Sequence, residues 1–113
     1  MNRTISLLRK DFQSSSSVTP EFRTFSSTFK REFNRELESI GATNPEYSVG
    51  HFYISGFYTL KGQVYYFSLS DVRYFKERKL LIREAKGYKD YTGGRNCYVP
   101  IEAGMGKHLL SIK

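Results

Sequence analysis

Between Thr19 and Gly41 the apolar positions are Phe22, Phe25, Phe29, Phe33, Leu37 and Ile40, each three or four residues after the last. That spacing predicts a helix with one apolar arc, about 120° wide, suited to packing on a single surface. Its ends are marked: Thr19 as cap, Pro20 in the first helical position, Glu21 at the positive end of the dipole, and Gly41 as a left-handed stop. The aromatic stripe reads as core. From Gly50 the period falls to two. Phe52, Ile54, Tyr58 and Leu60 alternate with Tyr53, Ser55, Phe57 and Thr59, a half-buried strand over His51–Leu60. Lys61-Gly62 makes a two-residue hairpin turn, with glycine supplying positive φ. Gln63–Val72 returns with Tyr65, Phe67 and Leu69 on one face and Tyr66, Ser68 and Ser70 on the other.

A charged connection, FKERK, leads to a third strand over Leu80–Ala85, and a short fourth lies at Cys97–Ile101 with Pro100 near its end. The expected fold is α+β: one long N-terminal amphipathic helix packed on an antiparallel sheet of three to four strands. The serine run Ser14–Ser17 sets off residues 1–18 as an N-terminal arm, flexible or an edge strand, from a single domain over 19–113. The tail EAGMGKHLLSIK docks as a small strand or as a helical turn.

Charge adds a functional constraint. Eighteen Lys and Arg against eleven Asp and Glu give a formal charge of +7, which attracts nucleic acid or an acidic protein surface and excludes mimicry of DNA. On the predicted helix the signs segregate: Arg23, Lys30, Arg31 and Arg35 flank the apolar stripe on one side, and Glu21, Glu32 and Glu36 on the other. Arg31 with Arg35 and Glu32 with Glu36 repel at i,i+4, so local helix stability does not explain the pattern. Solvated flanks are the simplest account of it, and a polarised surface the alternative.

One cysteine, Cys97, cannot form an internal disulfide, and two distant histidines with one cysteine do not make a metal site, so no metal and no cofactor are expected. No run reaches the roughly 18 apolar residues of a membrane span. The start, MNRTISLLRKDF, has too short an apolar run for a secretion signal, and the expected compartment is the bacterial cytoplasm. GMGKH lacks the first glycine and the Ser or Thr of a nucleotide-binding loop.

The stretch KGYKDYTGGRNCYVP remains. Its glycines let backbone amides approach a phosphate, and a guanidinium can complete the clamp. Arg83, Lys86, Tyr88, Lys89, Tyr91, Gly93, Gly94 and Arg95 therefore form the expected binding site, with the basic run reaching back through Arg73. The competing account is structural, with Gly-Gly as a turn and tyrosines pinning a long loop. A second surface combines outward aromatics of the sheet, Tyr53, Phe57 and Tyr66, with the helix cations Lys30, Arg31 and Arg35; sheet aromatics stack bases in several RNA-binding modules.

The segments IGATNPEYSVGHFYISGFYTL, YYFSLSDVRYF, LLIREAKGYKDYTGGRN and YVP resemble small uncharacterised proteins of phages and mobile elements of Gram-positive bacteria. The resemblance implies a setting in which such proteins repress genes or block host defences, including as anti-CRISPR proteins. YYFSLSDVRYFKERKLLIREAKGYKDY is also similar to the central strands of RelE-like ribonuclease toxins, which implies Arg83, Lys89, Tyr91, Arg95 and His108 as candidates for RNA cleavage. Two N-terminal helices of that family have no counterpart here, nor does the family match the YTGGRN insertion. Helix followed by three strands resembles the double-stranded RNA-binding domain as well, without its basic C-terminal helix. The expected function is a non-catalytic basic binding protein of RNA, DNA or a nucleic-acid-bound host protein, inhibiting a host defence nuclease. The alternatives are a RelE-like ribonuclease and a homodimeric protein-interaction module.

Overall fold

The computed structural model describes residues 2–8, 20–50, 53–69, 79–90, 94–102 and 104–112. Helix α1 spans Asn2–Leu8 and α2 spans Pro20–Ser39. Five strands follow, β1 Thr43–Val49, β2 Ile54–Leu60, β3 Gln63–Leu69, β4 Lys79–Ala85 and β5 Cys97–Pro100, and then a short helix α3, Gly106–Leu110. The strands form one antiparallel sheet in chain order, β1-β2-β3-β4-β5. The fold is α+β, with the long amphipathic helix packed on an antiparallel sheet.

The apolar arc of α2 is the centre of the core. Phe22, Phe25, Phe29, Phe33 and Leu37 are buried against Ile54, Tyr58, Leu60, Phe67, Leu69, Leu80, Ile82 and Val99. Phe29 and Phe33 stack with ring centres 5.2 Å apart, and Phe33 meets Phe67 at 4.9 Å. The stop at Gly41 is a Schellman motif: Gly41 has φ 79°, its N–H donates to the Glu38 carbonyl, and the Ala42 N–H donates to the Leu37 carbonyl. Lys61 and Gly62 both have positive φ, 51° and 79°, giving the primed turn that matches the twist of the β2–β3 hairpin. The helix cap expected at Thr19 lies outside the described residues.

Two elements differ from the sequence reading. TISLL, expected in a loose or strand-forming arm, lies within helix α1. Helix is possible there because the carboxylate of Glu32 satisfies the first amides of so short a segment: Thr4 N–H donates to it at 2.7 Å, the Thr4 hydroxyl at 2.6 Å and Arg3 N–H at 3.3 Å. The tail takes the helical alternative and is held in the same way, by Gly104 N–H donating to Glu36 at 2.9 Å. Glu32 is buried and Glu36 half-buried, so these two acids of α2 dock α1 and the segment before α3.

The second difference is β1, an edge strand that the sequence pattern does not announce. A β-bulge between Thr43 and Glu46 inserts one residue opposite β2, with Asn44 at φ 53°. The extra residue reverses the alternation: Tyr47 points to the core, where it meets Phe67 at 5.6 Å, and Glu46 points to the opposite face across from Phe57.

Candidate nucleic-acid interface

Directly paired residues share a face, so the register orders the sheet surface opposite α2. One row runs Glu46, Phe57, Tyr66, Arg83 from β1 to β4. Its neighbour runs Ser48, Ser55, Ser68, Leu81, Tyr98 from β1 to β5. All the described helices contribute to the core on the other side, through Ile5 and Leu7 of α1, the phenylalanines of α2, and Leu109 of α3.

In the first row aromatic and cationic groups touch in sequence. The Arg83 guanidinium lies 4.9 Å from the centre of the Tyr66 ring, Tyr66 is 5.4 Å from Phe57, and Phe57 is 5.6 Å from Tyr88. Phe57 does not stand out from the surface as the sequence reading expected. It is buried on this face, because Tyr66 and Tyr88 pack over it. Tyr53 and Tyr98 do present exposed rings, at 43% and 58% of full exposure.

The loop after β4 doubles back across the sheet as a strap. The Tyr88 hydroxyl donates to the Asn44 carbonyl in β1 at 2.7 Å. Its only proton is then committed, so the Thr59 hydroxyl, 2.8 Å away, donates to the Tyr88 oxygen. Gly87–Asp90 closes a turn, with Asp90 N–H donating to the Gly87 carbonyl and Lys89 at φ 67°. The strap returns to its origin where Gly94 N–H donates to the Glu84 carbonyl. Tyr88 thus does what the structural account of the loop required of a tyrosine.

The strap also roofs a cavity of about 230 Å³ on this face, lined by Glu46, Tyr47, Ser48, Ser55, Gly56, Phe57 and Lys89. Ser55 is 8% exposed, and its hydroxyl forms no hydrogen bond among the described residues. Gly56 is required beneath the bulge: a Cβ there would lie 1.9 Å from the Glu46 carbonyl oxygen.

The expected site residues are distributed by this frame. Arg83, Tyr88 and Lys89 come together on the outer face and strap, with Lys86 exposed at the start of the strap and Gly94 and Arg95 at its return. Arg73, Tyr91 and Gly93 lie outside the described residues. Tyr53, Phe57 and Tyr66 share the outer face, whereas Lys30, Arg31 and Arg35 belong to α2 on the opposite side of the sheet, so the two halves of the expected second surface do not meet. Lys30 is half-buried, its ammonium 5.9 Å from the Tyr47 ring, while the Tyr47 hydroxyl donates to Asn34 at 2.6 Å. Burial raises the Tyr47 hydroxyl well above the usual phenol range, so it remains a neutral donor.

Of the set implied by the ribonuclease resemblance, Arg83 and Lys89 lie on the outer face, Arg95 and His108 line a separate groove between β5 and α3, and Tyr91 is outside the described residues. His108 Nε2 is 2.8 Å from a Glu102 carboxylate oxygen, with both side chains about half exposed. Among the described residues no group of three or more His, Cys, Asp or Glu could hold a metal ion, and no helix is long and apolar enough to cross a membrane.

Sequence analysis did not find Glu46 or Ser55. The Asn44-Pro45 pair was the available signal for Glu46, since proline inside a strand belongs at an edge or a bulge. Compared with known protein families, curated proteins and solved structures, the chain matches none.

Proposed function

We propose that the protein is a non-catalytic binder of single-stranded nucleic acid, free or held in a nucleoprotein complex, and that the outer face of the sheet with its strap is the binding surface. The observation that carries this reading is the Arg83–Tyr66–Phe57–Tyr88 row, flanked on the same face by the exposed rings of Tyr53 and Tyr98. Exposed rings on a flat face can stack only on bases that are not already stacked and paired, which favours a single strand over a duplex. Lys79, Lys86 and Lys89 are exposed around these groups and supply charge for the phosphates, with Arg95 exposed at the β5 edge. A net charge of +7 acts in the same direction at longer range.

The test is fluorescence anisotropy with labelled oligonucleotides of about twelve nucleotides, single-stranded and duplex, as RNA and as DNA, at about 50 and about 200 mM salt. Single strands should bind more tightly than duplexes, with affinity falling steeply with salt. Replacing Arg83, Lys89 and Arg95 together by alanine should weaken binding about tenfold or more at an unchanged melting temperature. Undiminished binding by that variant would remove this face from consideration. Capture from host lysate with and without nuclease then separates free nucleic acid from a nucleoprotein target. A protein partner retained after nuclease treatment would move the reading to direct docking on protein.

A further inference from the structure

We propose that the cavity under the strap is a base-reading pocket that takes the Watson–Crick edge of one unpaired guanine. The proposal rests on the strand-binding reading and gives that surface a sequence preference.

Three observations point to a flat, polar-edged ligand. At about 230 Å³ the space is smaller than the about 300–1,000 Å³ typical of drug-sized ligands, and suits one ring system. Its lining is mixed, with the Phe57 ring beside Glu46, Ser48, Ser55 and Lys89. The Ser55 hydroxyl belongs to a side chain more than nine-tenths buried, has no hydrogen bond among the described residues, and lines this space. Its oxygen is open to the cavity, so both its proton and its lone pairs are available to an arriving ligand.

The identity of the base follows from the charge of the acceptor. The β1 bulge turns Glu46 onto this face, opposite Phe57. A carboxylate accepts two parallel N–H donors, and among the four bases guanine alone offers an adjacent ring N–H and exocyclic amine on its Watson–Crick edge. Cytosine and adenine offer one amine beside a ring acceptor that a carboxylate repels, and uracil offers one N–H between two carbonyls. The serine hydroxyls can donate or accept and so serve the remaining edge atoms. Lys89, the strap residue that lines the cavity, supplies a charge for the phosphate. Its φ of 67° is a conformation that costs a non-glycine residue energy, and it sits in the turn held over the cavity by Tyr88.

The experiment is anisotropy with the full chain on four single-stranded 3′-labelled oligonucleotides of equal length: oligo(U), oligo(A), oligo(C), and oligo(U) with two central guanines, each as RNA and as DNA. The guanine-bearing strand should bind about tenfold or more tightly than the others. Glu46→Gln should bring the ratio of guanine-bearing to oligo(U) affinity down to about one at an unchanged melting temperature, because an amide cannot accept both donors. Ser55→Ala should reduce the preference in part. Equal binding of all four strands by the native protein would overturn the guanine pocket and leave strand binding standing. A preference that survives Glu46→Gln would overturn it as well. If no strand binds at all, the proposed function fails, and the pocket with it.

Discussion

The carboxylate of Glu32 in α2 accepts both the backbone N–H and the hydroxyl of Thr4 in α1, 28 residues earlier in the chain. Burial alone would raise the carboxyl pKa, but the bonds from the Thr4 hydroxyl and the Thr4 and Arg3 amides outweigh it, and the group is held below its ordinary value of 4.5. The unfolded chain therefore binds this proton more readily than the folded one. The stabilisation is fully present above pH 4.5 and is lost as pH falls through the lowered folded value.

Glu32→Gln should cost about 1–2 kcal/mol near neutral pH, the worth of charge-assisted hydrogen bonds. Urea denaturation of the native and variant proteins at about pH 7 and about pH 3 checks this, with the difference shrinking in acid. A difference that is constant with pH would mean that the ionised carboxylate is not what holds α1.

Gly56→Ala should destabilise the protein by about 1–3 kcal/mol, the usual range for overpacking. The added methyl meets the Glu46 carbonyl at 1.9 Å and the Phe67 ring at 2.7 Å, so β1 must move. Thermal melting measures the loss, and a structure of the variant should show the bulge displaced from β2.

Tyr58→Phe should leave stability unchanged or raise it by about 1 kcal/mol. The Tyr58 ring is fully buried beside Phe33, Tyr65 and Phe67, and its hydroxyl has no hydrogen-bond partner among the described residues. Loss of the oxygen removes an unmet desolvation cost and keeps the packing. A clear fall in melting temperature would show that the hydroxyl has a stabilising partner.

Tyr88→Phe removes the bond to the Asn44 carbonyl and the acceptor for Thr59 in one step. The expected effect is local, about 1–2 kcal/mol, because the strap can lift without unfolding the sheet. Hydrogen exchange should quicken at residues 86–90 while β2 and β3 keep their protection.

Arg31→Ala with Arg35→Ala should leave oligonucleotide affinity within about twofold, since both residues belong to the helix layer and binding is assigned to the opposite face. A tenfold loss would relocate the site to α2.

Much of the frame follows from the sequence because its signals are short-range. A 3.6-residue period, a proline at the start and a glycine at the stop specify α2. Alternation around Lys61-Gly62 specifies the β2–β3 hairpin and which of its side chains enter the core. These patterns lie within a few residues, and their physical causes are local geometry and burial of one face. The concentration of charge, glycine and aromatics after β4 also marked the strap as worth attention.

Tertiary structure decided what those groups do. β1 packs one side chain on the core, Tyr47, so its period is too weak to read; pairing with β2 creates the strand and its bulge directs Glu46 outward. Glu32 and Glu36 look like repelling surface charges until distant amides reach them. Tyr88 finds its acceptor in Asn44, 44 residues away, and that reach converts a basic loop into a strap. The cations, contiguous in composition, are divided between two sides of a sheet whose layers no local pattern encodes. Partner choice across such separations depends on how the elements pack, and that is settled only when the core forms.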